Sequence, residues 1–275
     1  MQAEGRRSRS LRPLHVTVVQ IAAGLDQPAN LHNIRHLLAH APPTDLIALP
    51  EVFAFRGADS EYGRVAEPLE GPLTKWLAQL AREKKAWVLG GSIIEKARGG
   101  PYNTSLLFDR GGRLVARYRK IHLFEATLDD GVVVREATAY RAGSTPTMAT
   151  IENWRCGLSI CYDLRFPELF RLYSARGSHI LFVPSNFTQR TGRSHWEILT
   201  RARAIENQCF VVAPNQCGSN PATKVISHGH SMIVGPWGEI LCQASTSEAV
   251  ISAVLDPKRL LATRARIPAL KHRRL

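Results

Sequence analysis

The chain has 275 residues, 44% of them hydrophobic, and a formal net charge of +13. That length suits one large α/β domain or two small ones with a sizeable core, and the longest apolar runs are far too short to cross a bilayer. The charge is concentrated at the ends: residues 1–12 carry +3 and residues 258–275 carry +7, leaving +3 for the stretch between them. Basic tails can bind phosphate backbones, but they are more often solvated ends, so nucleic-acid binding is kept only as the rival function of another class.

Leu14-His15-Val16-Thr17-Val18 alternates as a first strand does, and polar His15, Thr17 and Gln20 argue against a signal peptide. Further strands are predicted at 45–49, 86–94, 103–109, 113–118, 155–160, 179–184, 208–214, 229–235 and 249–255. Helices are predicted at 28–41, 71–84, 167–176 and 194–207. Gly111–Gly112 and Pro236-Trp237-Gly238 read as hairpin turns. Strands alternating with helices, plus hairpins, indicate a layered α/β fold with mixed sheets. No linker composition or internal repeat divides the chain. One domain is expected over residues 14–260, with a basic N-terminal extension (1–13) and a basic C-terminal tail (261–275).

The five cysteines form no C-x-x-C pair and no zinc-spaced Cys/His cluster, so neither a disulfide framework nor a metal is expected. A reducing, cytoplasmic setting follows, with organelle targeting by the N-terminal extension left open.

Three segments place a reactive residue just beyond a predicted strand, where α/β proteins build their sites. Leu46–Leu49 runs into Pro50-Glu51, delivering a carboxylate into apolar company, as a general base requires. Read alone, Glu51 could equally be an ordinary loop residue. Lys120 follows a strand in Tyr118-Arg119-Lys120-Ile121-His122-Leu123-Phe124 and could supply positive charge to an oxyanion, although a surface lysine is the commoner case. A third strand enters Cys161-Tyr162-Asp163-Leu164-Arg165-Phe166-Pro167-Glu168-Leu169, where Pro167 and Glu168 suit a helix start. Such a strand–turn–helix exposes a nucleophile beside free backbone N–H groups. A buried structural cysteine is the bland alternative, and the adjacent Asp163 and Arg165 count against it.

The order and spacing of these segments, 69 residues from Glu51 to Lys120 and 41 more to Cys161, carry a resemblance. The chain resembles the nitrilase superfamily of carbon–nitrogen hydrolases from about Val16 to the last strand. Arg201–Asn207 and Gly229–Gly238 look most like its Nit branch, which includes deaminated-glutathione amidases and ω-amidases. The resemblance implies a four-layer α-β-β-α sandwich and a catalytic triad of Glu51, Lys120 and Cys161. It also implies a second glutamate at Glu136, and dimerisation through the helix after the nucleophile and the helix near 194–207.

The expected reaction is hydrolysis of a small amide through a thioester on Cys161, with Lys120 and the Tyr162 backbone N–H holding the oxyanion. No cofactor is implied. Nitrile or carbamoyl-amine hydrolysis would use the same three residues. A Cys–His pair drawing on His122, His179 or His195 is the competing mechanism. Arg165 matches a position that reads a substrate carboxylate, or else pairs with Glu168 near the helix start. Phe53, Phe55, Tyr62 and Thr188 are expected along the pocket, and Phe187 in the core. Asn186 stands where the related amidases carry a small residue, so it is expected to influence which substrate fits.

Overall fold

The computed structural model describes residues 10–127 and 133–274. In chain order the strands are β1 (Leu14–Gln20), β2 (Leu46–Ala48), β3 (Trp87–Leu89), β4 (Ile93–Glu95), β5 (Tyr102–Phe108), β6 (Leu114–Arg119), β7 (Glu125–Thr127), β8 (Val133–Arg135), β9 (Thr147–Ile151), β10 (Trp154–Leu158), β11 (Ile180–Phe182), β12 (Phe210–Ala213), β13 (Met232–Val234), β14 (Ile240–Gln243) and β15 (Ala249–Leu255). The α-helices are α1 (Gln27–Ala39), α2 (Tyr62–Val65), α3 (Pro72–Lys84), α4 (Pro167–Ala175), α5 (Gln189–Asn207), α6 (Pro257–Arg266) and α7 (Ala269–His272).

Two sheets stack face to face. One runs β15-β1-β2-β3-β5-β4 with β6 paired to β5, and the other runs β14-β13-β12-β11-β10-β9. Side chains along a strand point alternately to opposite faces, and the core follows that rule. Val16, Val18, Leu46, Ala48, Leu89 and Leu107 meet Trp154, Leu158, Phe182 and Val212 between the sheets. Their neighbours Val19, Ile47, Val88, Leu106 and Phe108 turn outward, against Ile34 and Leu38 of α1 and Leu73, Leu77 and Leu80 of α3. Helices α4 and α5 cover the second sheet through Phe170, Tyr173, Trp196 and Ala204. The architecture is therefore the four-layer α-β-β-α sandwich.

Several elements differ from the sequence expectation. The single strand expected at 86–94 is divided into β3 and β4. Gly91 there adopts a φ of +44°, and a Cβ on it would lie 1.9 Å from the Pro50 carbonyl oxygen, so the chain must bend around the Glu51 loop. Helix α5 starts five residues before the expected 194, capped by the Thr188 side chain. Its first turn carries no apolar periodicity, and Gly192 lies where a Cβ would strike His228. Strands β9 and β14 were not expected.

Helix α6 runs past Leu260, the expected domain edge, to Arg266. Asp256 caps its start, Thr263 is buried, and Arg264 donates to the Ser178 carbonyl at 2.7 Å. Residues 1–9 of the N-terminal extension and Leu275 lie outside the described residues. Within the extension, the carbonyl of Arg12 accepts from the Trp154 indole at 3.0 Å. Among the described residues, no helix is long and apolar enough to cross a membrane.

Candidate active site

Glu51, Lys120, Glu136 and Cys161 converge at one end of the sheet pair. Glu51 follows β2, and its neighbours fix it on both sides. Gln216 donates to its carbonyl at 2.9 Å, and the Val52 N–H donates to Ser92 Oγ at 3.0 Å. Val52 adopts a φ of +48°, a strained value for a β-branched residue and one found where function constrains the backbone.

Lys120 directly follows β6, and its N–H donates to the Asn103 carbonyl at 2.8 Å. Its ammonium is 2% exposed and donates to Glu51 Oε1 at 3.0 Å and to both oxygens of Glu136 at 2.8 Å. Burial alone would lower the basicity of Lys120, but Glu136 and Glu51 outweigh it and hold the group protonated. Glu136 begins a 3-10 turn after β8 and also accepts the Phe124 N–H at 2.7 Å. Of the sequence segment that identifies it, Gly131 and Val132 lie outside the described residues.

Cys161 follows β10 with a φ of +47° and opens a 3-10 turn that leads into α4. Its thiol lies close enough to the Glu51 carboxylate, the Lys120 ammonium and the Asn186 backbone N–H for each to act on its titration. Burial pushes the thiol well above its ordinary value and Glu51 adds to this, while Lys120 pulls the other way. The resting sulfur is therefore protonated, beside a carboxylate able to take the proton. The Tyr162 N–H, next in the turn, meets no acceptor among the described residues.

The rival histidines lie elsewhere. His122 bonds Asp163 Oδ1 at 2.7 Å and stacks on Phe166. His179 accepts the Arg155 N–H, and His195 meets Arg165. No hydrogen bond joins any of the three to Cys161. Among the described residues, no cluster of three or more His, Cys, Asp or Glu side chains could hold a metal ion.

The expected pocket residues divide. Phe55 and Tyr62 pack with Val52, Ile94 and Tyr140 in a small buried cluster. The phenol of Tyr140, raised first by burial, also senses Glu136 and Glu51. Phe53 was expected at the pocket but is fully buried in the helix-side core, stacked on Trp76. The bend at Val52 turns it away from the Glu51 side. The Thr188 hydroxyl serves the start of α5. Phe187 is core, packed on Trp196.

Arg165 makes no ion pair with Glu168. Its guanidinium contacts His195 at 3.3 Å and lies over the Tyr162 and Phe187 rings. The Asn186 side-chain oxygen accepts from Ser227 Oγ at 2.6 Å, and Ser227 in turn accepts from the fully buried Arg56 at 2.7 Å. Because a guanidinium only donates, the single Ser227 proton points to Asn186, and the Asn186 NH₂ must face away from Ser227.

Sequence reasoning did not single out Asn103, Arg56 or Ser227, and it noted Asp163 only as a polar neighbour of Cys161. One signal was present: Asn103-Thr104-Ser105 is a polar run inside β5, whose seven residues are all buried.

The family model for carbon–nitrogen hydrolases matches residues 15–265. The chain belongs to the carbon–nitrogen hydrolase family. This carbon–nitrogen hydrolase is 37% identical over 270 residues to a deaminated glutathione amidase of Synechocystis sp., covering 96% of this chain and 99% of the relative. It is 37% identical over 229 residues to omega-amidase NIT2 of Homo sapiens, covering 83% of each. Among solved structures it resembles Saccharomyces cerevisiae Nit3, described as a member of branch 10 of the nitrilase superfamily. The TM-score is 0.86 and the identity 32%, over 96% of this chain and 97% of that one. It is thus an enzyme of the class that hydrolyses carbon–nitrogen bonds other than peptide bonds.

Proposed function

We propose that this hydrolase cleaves a small amide bearing a free carboxylate, releasing the acid and ammonia through a thioester on Cys161. The observation that carries the reading is the set of hydrogen bonds from Lys120 to Glu51 at 3.0 Å and to Glu136 at 2.8 Å, beside a Cys161 thiol whose titration Glu51 and Lys120 both shift. Glu51 takes the thiol proton as sulfur attacks the carbonyl carbon. The resulting oxyanion is held by the Lys120 ammonium and the Tyr162 N–H, a donor of this kind contributing roughly 3–4 kcal/mol. The carbon–nitrogen bond then breaks, and Glu51 returns the proton to the leaving ammonia. A water deprotonated by Glu51 cleaves the thioester, and the proton passes to sulfur as the acid departs. Glu136 holds Lys120 in place and orients the amide.

The carboxylate preference is supported by Arg165. Its guanidinium lies close after the nucleophile, over aromatic rings, and among the described residues it is paired with no carboxylate. The names of the Synechocystis and human relatives both denote amidases. Tyr162 and Asn186 flank the acyl position, with Thr188 contributing at most its methyl.

A reducing, cytoplasmic setting fits five cysteines that form no disulfide. A homodimer through α4 and α5 fits the exposed Ile198 and Ile205 on α5 and is tested by sedimentation.

Ammonia release should be measured over ω-amides, nitriles and ureides of equal acyl length. The reading expects ω-amides with a terminal carboxylate to be turned over fastest. Faster release from nitriles or ureides would replace it with one of those reactions, and release from none would end it.

A further inference from the structure

We propose that Asn103 is a positioning residue for proton transfer, its side-chain amide orienting Glu51 toward the Cys161 thiol. The step it serves rests on the proposed function; the geometry does not.

Asn103 sits in β5 and is 1% exposed. Its place is fixed from both sides, by pairing with Ile94 on β4 and by its carbonyl, which accepts the Lys120 N–H at 2.8 Å. Its Nδ2 donates to Glu51 Oε1 at 2.8 Å and to Glu136 Oε1 at 3.3 Å. Lys120 Nζ donates to the same two oxygens, at 3.0 and 2.8 Å. Two carboxylate oxygens and two nitrogens therefore close a ring of four hydrogen bonds. One nitrogen is cationic and the other neutral.

Two consequences follow. Glu51 Oε1 is occupied by two donors, so Oε2 is the oxygen left for the thiol, and the carboxylate cannot rotate without breaking both bonds. The neutral amide also satisfies both carboxylates without adding charge. Glu51, Glu136 and Lys120 keep a net charge of −1, the sign needed to accept a proton. A second lysine in place of Asn103 would cancel it.

Asn103 Oδ1 is buried with no hydrogen-bond partner. Leaving a buried carbonyl unmet is unfavourable, and such local faults are expected where function sets the residue.

The test uses Asn103→Ser, Asn103→Ala and the near-isosteric Asn103→Asp in the full chain. Two readouts are taken against pH: steady-state turnover of the best amide, and alkylation of Cys161 by iodoacetamide, followed by intact mass. Losing a donor favours the protonated carboxylic acid. The Ser and Ala variants should therefore lose about 10–100-fold in kcat, a part of what a general base contributes. KM should change little, and the acid limb of kcat/KM should move up by about half a pH unit or more. Alkylation near neutral pH should slow in parallel. Asn103→Asp should be nearly inactive, because a third carboxylate replaces both donors.

A folded Ser or Ala variant with the parent's pH profile and alkylation rate would overturn the proposal. If the parent hydrolyses no amide but the alkylation effect remains, the functional reading fails and the positioning role stands. Should the variants not fold, asparagine-¹⁵N labelling of the unsubstituted protein decides. An exchange-protected side-chain NH₂ pair should titrate with the same midpoint as the acid limb. If none does, the role is refuted.

Discussion

The phenolic hydroxyl of Tyr118 donates to Asp163 Oδ2 at 2.7 Å, joining the strand that leads into Lys120 to the turn that begins at Cys161. Asp163 is fully buried, and it also accepts from the Ile160 N–H at 2.8 Å and from the His122 N–H and ring at 3.1 and 2.7 Å. One carboxylate thus holds the lysine and cysteine arms of the site in register.

Replacing Asp163 by Asn puts an NH₂ group against donors. Asp163→Asn should lower stability by about 2–4 kcal/mol in urea denaturation, and reduce kcat as the two arms drift. Tyr118→Phe removes one bond of the set and should cost about 1–2 kcal/mol. A loss below about 0.5 kcal/mol in Asp163→Asn, within the range of an ordinary surface change, would mean the carboxylate is not the tie described.

Arg165 tests the substrate class. Losing a charge-assisted hydrogen bond is worth roughly 1.5–3 kcal/mol, so Arg165→Ala should raise KM for a carboxylate-bearing amide about 10–100-fold. Turnover of an uncharged amide of equal length should be nearly unchanged. Arg165→Lys should recover only part of the loss, since a lysine cannot keep the planar stacking on Tyr162 and Phe187. Equal losses on charged and uncharged amides would assign Arg165 to packing instead.

Stability should fall on the acid side through His179. Burial, and then the neighbouring Arg264 and Arg155, lower this imidazole from 6.5 to about 4. Its ring accepts the Arg155 N–H, a role only the neutral form can fill. The folded protein binds the proton less readily than the unfolded chain. The contribution is therefore complete above pH 6.5 and is lost as pH falls toward 4. Allowing for partial exposure, this residue should account for about 1–2 kcal/mol of the loss. Urea denaturation at pH 7 and near the lower limit should show the fall in the parent and a smaller one in His179→Asn, which keeps an acceptor. Equal slopes in the two proteins would contradict it.

What could be read from sequence follows from where a residue sits on its strand. Glu51 and Cys161 each end an apolar run and Lys120 directly follows a strand, so position along the chain marks them, and they do converge. Asn103 lies inside a strand. There a polar residue reads as solvent-facing, and only the second sheet and the neighbouring chain segments reveal that β5 is buried on both faces. Phe53 was misplaced because a bend at one residue, Val52, decides which way the next side chains turn. Helix α6 was read as part of a solvated tail because its arginines mask an apolar face at Leu260, although Asp256 and Pro257 mark its start.

The most direct measurement is intact and peptide mass spectrometry of the protein mixed with candidate amides and quenched during turnover. The account predicts an added acyl mass on Cys161, matching the acid released, and none in Cys161→Ala. Turnover that persists in Cys161→Ala, or an acyl mass carried by another residue, would contradict it.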